Sequence, residues 1–183
     1  MLNNKTLNVL LILCIGFWMH PGVLSAGECG VAVKPLSFYD NISLYSLIAG
    51  FGLLFAGILI DKKLVKNIVI GLAVIPFIAW GYVHFMIDFS QIKKNVFAYN
   101  ALAEGTLANI AEAQDRYKSE QGVFIKDLQK LYSHTAGSHG INPCVRILKI
   151  NADFKHWVAE AKHVSSPDTI RWESDSGSSL KKG

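Results

Sequence analysis

The stretch of sequence that decides the fold is residues 67–121: NIVIGLAVIPFIAWGYVHFMIDFSQIKKNVFAYNALAEGTLANIAEAQDRYKSEQ. Its first part, 67–87, contains no Asp, Glu, Lys or Arg, which is typical of a membrane span. Beyond residue 88, small or apolar residues recur at spacings of four, four, three and four, the period of one helical face. This stripe consists of Leu102, Thr106, Ile110, Ala113 and Tyr117. The pattern predicts one continuous helix about 80 Å long, at 1.5 Å per residue.

A second uncharged stretch, 42–60, precedes this helix. It is about 28 Å long as a helix, enough for a hydrocarbon core of about 30 Å. The two stretches predict a transmembrane hairpin whose spans, 42–60 and 67–87, are joined by a basic cytoplasmic turn, 61–66. Gly50 and Gly57 are seven residues apart and share the face on which we expect the spans to meet. We expect Pro76 to kink the second span.

The first 26 residues resemble a secretory signal peptide, with Lys5, an apolar core and small residues before position 27. An uncleaved signal anchor is the alternative, and both readings place segment 27–41 outside the membrane. We therefore expect a protein of the bacterial inner membrane whose C-terminal domain, 88–183, lies in the periplasm. Cys29 and Cys144 would share that oxidising compartment, either as a disulfide or as two unpaired thiols.

The C-terminal part changes to strand-like patterns after a glycine stop at Gly122. A short helical turn or a loop is predicted at 126–131. Period-two alternation between turn signals predicts three antiparallel strands, at 144–151, 154–163 and 169–175, with one face on the helix stripe. Residues 176–183 read as a solvated tail. The predicted fold class is membrane α plus α+β, a transmembrane hairpin whose second helix extends into a head with a three-stranded antiparallel sheet.

Side chains that could carry chemistry are present but scattered. His134 and His139 lie in one loop, whereas His156 and His163 are seven apart on one strand and face opposite sides. Neither zinc spacing nor a haem, phosphate-loop or dinucleotide motif is found, so no metal and no cofactor is expected. The +4 net charge is spread along the chain, which disfavours nucleic-acid binding. We predict no catalytic residues.

The soluble part resembles the type IV pilins and pseudopilins. The resemblance rests on residues 109–117 (NIAEAQDRY), 122–124 (GVF), 154–163 (FKHWVAEAKH) and 172–177 (WESDSG), within a region of about 67–177. It implies a pilin-like head, a long helix covered by an antiparallel sheet. Residues 66–71 (KNIVIG), at the start of the second span, contain no prepilin cleavage site, and the span lacks the family's glutamate. An extra span also precedes it, which disfavours assembly into a filament.

These features predict a non-enzymatic structural or accessory subunit of a membrane protein complex. Its expected partners are membrane lipid and other integral membrane subunits, bound through the hairpin and the periplasmic head. Two alternatives remain open from the sequence. One is a component of a type IV pilus or type II secretion apparatus, and the other is a thiol or metal enzyme of the envelope using Cys29 and Cys144.

Overall fold

The structure is a computed structural model that describes residues 28–134 and 140–183. The predicted signal segment, 1–26, lies outside the described residues, as do His139 and the side chain of His134. The described helices are α1 (Leu36–Leu59), α2 (Lys63–Phe85), α3 (Phe89–Gln121) and α4 (Leu128–His134). The described strands are β1 (Val145–Ala152), β2 (Trp157–His163), β3 (Thr169–Glu173) and β4 (Gly177–Lys181). Below, residues 28–35 are called the strap, α1 with α2 the hairpin, and residues 89–183 the head.

The hairpin consists of two helices that are long and apolar enough to cross a membrane. α2 begins at Lys63, so most of the predicted turn 61–66 is helical. Buried residues make up 11% of the most apolar window of each helix, whereas the core helix of a soluble protein would be mostly buried. The outward faces carry large exposed side chains such as Phe55 and Ile78. Length, composition and exposure are therefore those of membrane-spanning helices.

Two glycines bring the helices of the hairpin together. Gly50 and Gly57 are the buried residues of α1. A Cβ on Gly50 would lie 3.0 Å from the ring of Phe77, and a Cβ on Gly57 would lie 2.7 Å from Cγ1 of Ile70. The absence of side chains thus allows close contact with α2, on the face that the sequence predicts. Pro76 lies inside α2.

Replacing Gly57 by valine is expected to force the two helices apart. Overpacking of this kind costs about 1–3 kcal/mol, and the hairpin of Gly57→Val should unfold at a lower SDS fraction in mixed micelles. Gly52→Val is the matched control, because a Cβ at Gly52 meets no atom within 4 Å. Equal effects of the two substitutions would show that α1 and α2 do not meet through this face.

The prediction of one continuous helix over 67–121 is wrong at its centre. α2 ends at Phe85 and α3 begins at Phe89. The side chain of Asp88 accepts a hydrogen bond from the backbone N–H of Gln91 at 3.0 Å. This N-cap satisfies an amide that an uninterrupted helix would have bonded to a carbonyl four residues earlier. The head is therefore connected to the hairpin by three non-helical residues instead of a rigid rod.

α3 is the central helix of the head, and its buried face packs against the sheet. Its buried residues are Ala103, Thr106, Leu107, Ile110, Ala113, Gln114 and Tyr117. The predicted stripe is confirmed for Thr106, Ile110, Ala113 and Tyr117. It is wrong for Leu102, which is 45% exposed. The buried face is rotated slightly toward Ala103 and Leu107, because the sheet covers that side of the helix.

The sheet has four antiparallel strands in the order β1-β2-β3-β4, one more than predicted. Alternate residues of β2, from Trp157 to His163, are buried toward α3. The predicted solvated tail at 176–183 is wrong, since residues 177–181 form β4 and pair with β3. Gly177 adopts a left-handed backbone with φ of 77°, which permits the tight turn between these strands.

The far end of α3 is closed by a glycine and a glutamine. Gly122 is the left-handed C-cap, as the sequence predicts, and its N–H bonds to the carbonyl of Lys118. Gln114 is fully buried and binds Ile125 in both directions. Its Nε2 donates to the carbonyl of Ile125, and its Oε1 accepts from the N–H of Ile125 at 3.0 Å. The side chain thereby replaces the backbone partners that the loop before α4 lacks.

Candidate functional site

The strap is joined covalently to the head. Cys29 and Cys144 form a disulfide with their Cα atoms 5.3 Å apart. Of the two readings that the sequence leaves open, the structure has the bonded one. Cys144 immediately precedes β1, whereas Cys29 lies before both helices of the hairpin. The disulfide therefore closes a loop that contains the entire hairpin and α3.

Ser165 reinforces this attachment from the loop between β2 and β3. Its buried hydroxyl shares its proton between the carbonyls of Cys29, at 3.0 Å, and Gly30, at 3.1 Å. The carbonyl of Ser165 accepts from the backbone N–H of Val33 at 2.9 Å. One residue of the head therefore binds three residues of the strap, Cys29, Gly30 and Val33.

An aromatic pair lies beneath the strap. The rings of Tyr99 and His163 are stacked with centroids 4.5 Å apart and planes 4° apart. The phenol of Tyr99 donates to the carbonyl of Val31 at 3.4 Å, and Nδ1 of His163 accepts from the N–H of Ser165 at 3.1 Å. A Cβ on Gly30 would lie 2.5 Å from the Tyr99 hydroxyl, and φ of Gly30 is +83°. Glycine is therefore required where the strap crosses Tyr99.

Asn100 fixes the same loop to α3. Its Nδ2 donates to Oδ2 of Asp168 at 2.8 Å, and its Oδ1 accepts from the hydroxyl of Ser166 at 2.6 Å. The Ser166 hydroxyl also accepts from the N–H of Asp168 at 3.1 Å. Each polar atom of this group thus has a partner, as buried polar groups require. The strap, the loop and residues 99 and 100, three turns into α3, form one hydrogen-bonded unit, which we call the junction.

The junction concentrates the buried polar residues of the described chain. Six polar or charged residues are buried in the described ranges. Four of them lie in the junction: His163, Ser165, Ser166 and Asp168. A serine nucleophile would need its hydroxyl to donate to the imidazole of the histidine, which in turn is oriented by a carboxylate. Here the Ser165 hydroxyl donates to carbonyls, and the Asp168 carboxylate accepts from Asn100 and from the N–H of Gly183. The arrangement positions the backbone rather than activating a nucleophile.

The histidines considered as metal ligands are separated in space. His163 is buried in the junction, whereas His156 is exposed and its Nδ1 lies 3.0 Å from Oδ2 of Asp153. In the described ranges, no three His, Cys, Asp or Glu side chains are grouped as metal ligands. Cys29 and Cys144, the candidate thiol pair, are bonded to each other.

Burial gives the junction a pH dependence. It lowers the pKa of His163 below its ordinary value of 6.5, because the charged imidazolium loses its hydration. Between that lowered pKa and 6.5, the unfolded chain binds more protons than the folded chain, so stability falls as the pH falls. We expect the thermal midpoint of the head, followed by near-UV circular dichroism, to decrease from about pH 7.5 to about pH 5.5.

Two histidine variants separate this effect from other titrations. His163→Phe keeps a ring against Tyr99 but cannot be protonated, so its midpoint should be lower at neutral pH and should change less on acidification. His156→Gln removes an exposed histidine instead and should retain the pH slope of the parent protein. A slope that survives in His163→Phe would assign it to other groups.

Sequence reasoning did not identify the junction. It interpreted residues 165–168 only as a turn and gave no role to Tyr99 or Asn100. The available signal was local: Asn100 and Tyr99 are adjacent on α3, and two serines and an aspartate follow His163 within five residues. That these two short segments face each other depends on the sheet register, which the sequence did not supply.

None of the models of known protein families matches the chain, and a comparison with curated proteins finds no similar sequence.

Proposed function

We propose that this chain is a non-enzymatic subunit of a membrane protein complex. The hairpin lies in the bilayer, and the head lies on the outer side, where it and the hairpin contact partner subunits. The observation that carries the proposal is the difference in apolar exposure between the head and the hairpin. The head has a buried hydrophobic core, whereas most of the large apolar side chains of the hairpin are exposed. Exposed apolar surface of this extent is stable in lipid or against other membrane helices.

Orientation follows from two chemical features. A disulfide forms and persists in an oxidising compartment, which favours placing Cys29 and Cys144 outside the cytoplasm. The signal-like segment 1–26 favours the same side, whereas the lysines beside the spans do not decide, since Lys62, Lys63 and Lys66 on one side are balanced by Lys34, Lys93 and Lys94 on the other. For a bacterial inner membrane, the head is then periplasmic.

The head is proposed to be pilin-like and resident in the membrane. Support for the first part is the long helix α3 lying across an antiparallel meander. Support for the second part is the disulfide, which ties the head to the strap ahead of the first span. Extracting the head into a filament would draw two apolar helices into water, at a cost of tens of kcal/mol at about 0.8 per buried CH₂.

Topology is tested by labelling intact spheroplasts with a membrane-impermeant maleimide. Ser179→Cys on β4 should be labelled from outside. Lys63→Cys, at the turn between α1 and α2, should react only after lysis. The parent chain, whose Cys29 and Cys144 are bonded, gives the background. Labelling of Lys63→Cys from outside would overturn the orientation.

The role as a subunit is tested by purification in a mild detergent followed by mass spectrometry. We expect reproducible membrane partners in stoichiometric amounts, and their loss from Gly57→Val but not from Gly52→Val if the hairpin packing presents the binding surface. A monodisperse monomer from native membranes, with no partner retained, would contradict the proposal.

A further inference from the structure

The face of the sheet turned away from α3 carries an ordered row of basic side chains at one end. Arg146 of β1 lies directly opposite Lys162 of β2, and Lys181 of β4 lies opposite Thr169 of β3. The β2–β3 register pairs Ala161 with Ile170, so the next pair outward joins Lys162 to Thr169. Arg146, Lys162 and Lys181 therefore lie in one line across four strands, which we call the cationic row.

Charge along this face changes with distance from the junction. The next line along the sheet alternates in sign, with Lys149 opposite Glu160 and Glu160 opposite Arg171. Arg171 is further paired with Glu173, at 2.7 Å. The middle of the face is thus internally neutralised, whereas positive charge is left at the end that holds the junction.

No member of the cationic row forms an ion pair within 4 Å in the described chain. Like charges directly opposite each other across strands are destabilising, as Arg146 and Lys162 are here. Asp168 is buried and accepts from Asn100 and Gly183. The acidic groups that form ion pairs elsewhere in the described head include Glu112, Asp153, Glu160 and Glu173, and their partners are not members of the row. An external anion would remove this repulsion.

The row is flanked by apolar side chains that form a shallow depression. Leu148 and Val164 line it together with Arg146 and Lys162, and they are 53% and 39% exposed. A β-bulge between Ile147 and Lys149 turns Leu148 outward, because two residues of β1 there oppose one of β2. The bulge also disturbs this edge of the sheet, which disfavours the addition of a partner strand.

The strap places the row close to the membrane. Val33 bonds to Ser165, three residues from Lys162, and Val33 is itself three residues before α1. Six helical residues, about 9 Å, separate Leu36 from the apolar span that begins at residue 42. The headgroup layer extends roughly 5–8 Å beyond the hydrocarbon. The row therefore lies at the end of the head that the strap ties to the first span, where a tilt of the head brings it to the lipid phosphates.

We propose that the cationic row docks the head onto anionic phospholipid headgroups of the membrane in which the hairpin is inserted. Arg146, Lys162 and Lys181 pair with lipid phosphates, and Leu148 and Val164 contact the interface. The position beside the hairpin favours lipid over an acidic protein segment. Since the connection at 86–88 is not helical, this contact fixes the tilt of the head. The inference rests on the proposed membrane insertion.

The test uses the full chain in nanodiscs. A Cys14→Ser, Leu148→Cys chain carries a spin label at position 148, and relaxation by a nickel-chelating lipid reports the distance of the label from the headgroups. Discs of phosphatidylcholine are compared with discs that also contain phosphatidylglycerol. We expect the anionic lipid to bring the label closer, and high salt to reverse this.

Matched variants assign the effect to the row. The double variant Arg146→Gln, Lys181→Gln should lower the ratio of docked to undocked head about thirtyfold. Each cation near an anionic surface favours the docked state by a factor of about five, and the variant removes two. Lys162 is left unchanged because its ammonium donates to the carbonyl of Pro167 at 2.9 Å. The control Lys126→Gln, Lys130→Gln removes the same charge from exposed positions at the far end of α3.

Each other outcome overturns a specific statement. Relaxation that does not depend on phosphatidylglycerol, or an equal loss in the control, removes the lipid contact. If polyglutamate alters the label in phosphatidylcholine discs while phosphatidylglycerol does not, the row binds acidic protein and the lipid proposal is wrong. A chain that does not enter nanodiscs at all would instead refute membrane insertion.

Discussion

Replacing Cys29 and Cys144 by serine is expected to lower the free energy of unfolding of the head by about 4–5 kcal/mol. The disulfide closes a loop of 115 residues, and cross-linking such a loop removes many conformations from the unfolded chain. A domain of this size has a total stability of about 5–15 kcal/mol, so the loss is a large part of it.

The membrane changes this expectation only slightly. When the head unfolds in a micelle, the hairpin can remain folded, and its ends stay close together. The flexible part of the loop is then the strap with residues 86–143, about 65 residues, and the logarithmic dependence on length lowers the effect by only about half a kcal/mol. The prediction therefore does not depend on whether the hairpin unfolds with the head.

Guanidinium denaturation in micelles, followed by near-UV circular dichroism, measures this effect. The parent protein without reductant is the reference, because its disulfide is intact. Reductant should shift the parent protein to the midpoint of the double serine variant and leave that variant unchanged. A loss below about 1 kcal/mol would mean that the strap and β1 stay together in the unfolded state, through residual structure.

The same variant also tests the junction. The hydrogen bonds from Ser165 to the strap do not require the disulfide, so the strap should stay docked in the folded double serine variant. Hydrogen exchange at the amide of Val33, which bonds to the carbonyl of Ser165, would report this. Fast exchange would show that the covalent bond alone holds the strap.

Sequence patterns predicted the parts of the fold that follow a helical period. Gly50 and Gly57 were placed on the helix-facing side of α1, and most of the α3 stripe was correct, because both follow from helical period alone. The glycine stop at Gly122 was also predicted, since a left-handed C-cap favours one residue type.

Local polar chemistry explains where the prediction failed. Asp88 is a helix cap, but the uncharged span before it and the periodic residues after it concealed the change of helix. β4 has the sequence GSSLK, which contains a single large apolar residue, and it pairs through its backbone with a neighbouring strand. Gln114 is buried because its amide binds a loop, which no periodic pattern indicates. Each of these features depends on hydrogen bonds and not on an apolar period, so the apolar pattern does not indicate it.

The second large effect is expected at Trp157, which is 1% exposed in the core of the head. Truncating a buried tryptophan to alanine costs about 3–5 kcal/mol, from lost burial and from the cavity that remains. Its backbone also anchors the β3–β4 turn, since its carbonyl accepts from the N–H of Ser174 at 3.0 Å. In Trp157→Ala the head should unfold at a much lower guanidinium concentration.

Trp172 provides a control of the same chemistry in the same sheet. It lies on β3 opposite Ala159 and is only partly buried, so Trp172→Ala should cost less than half as much. Because α1 and α2 contact each other directly, Trp157→Ala should still enter the membrane fraction and keep the helical signal of the hairpin. If the membrane fraction loses Trp157→Ala but retains Trp172→Ala, then the hairpin depends on a folded head, and the two cannot be separate units of stability. The three residues between α2 and α3 are not helical, so they cannot pass this dependence from the head to the hairpin. The contacts between the head and the membrane would then be among the interactions that hold the spans in place.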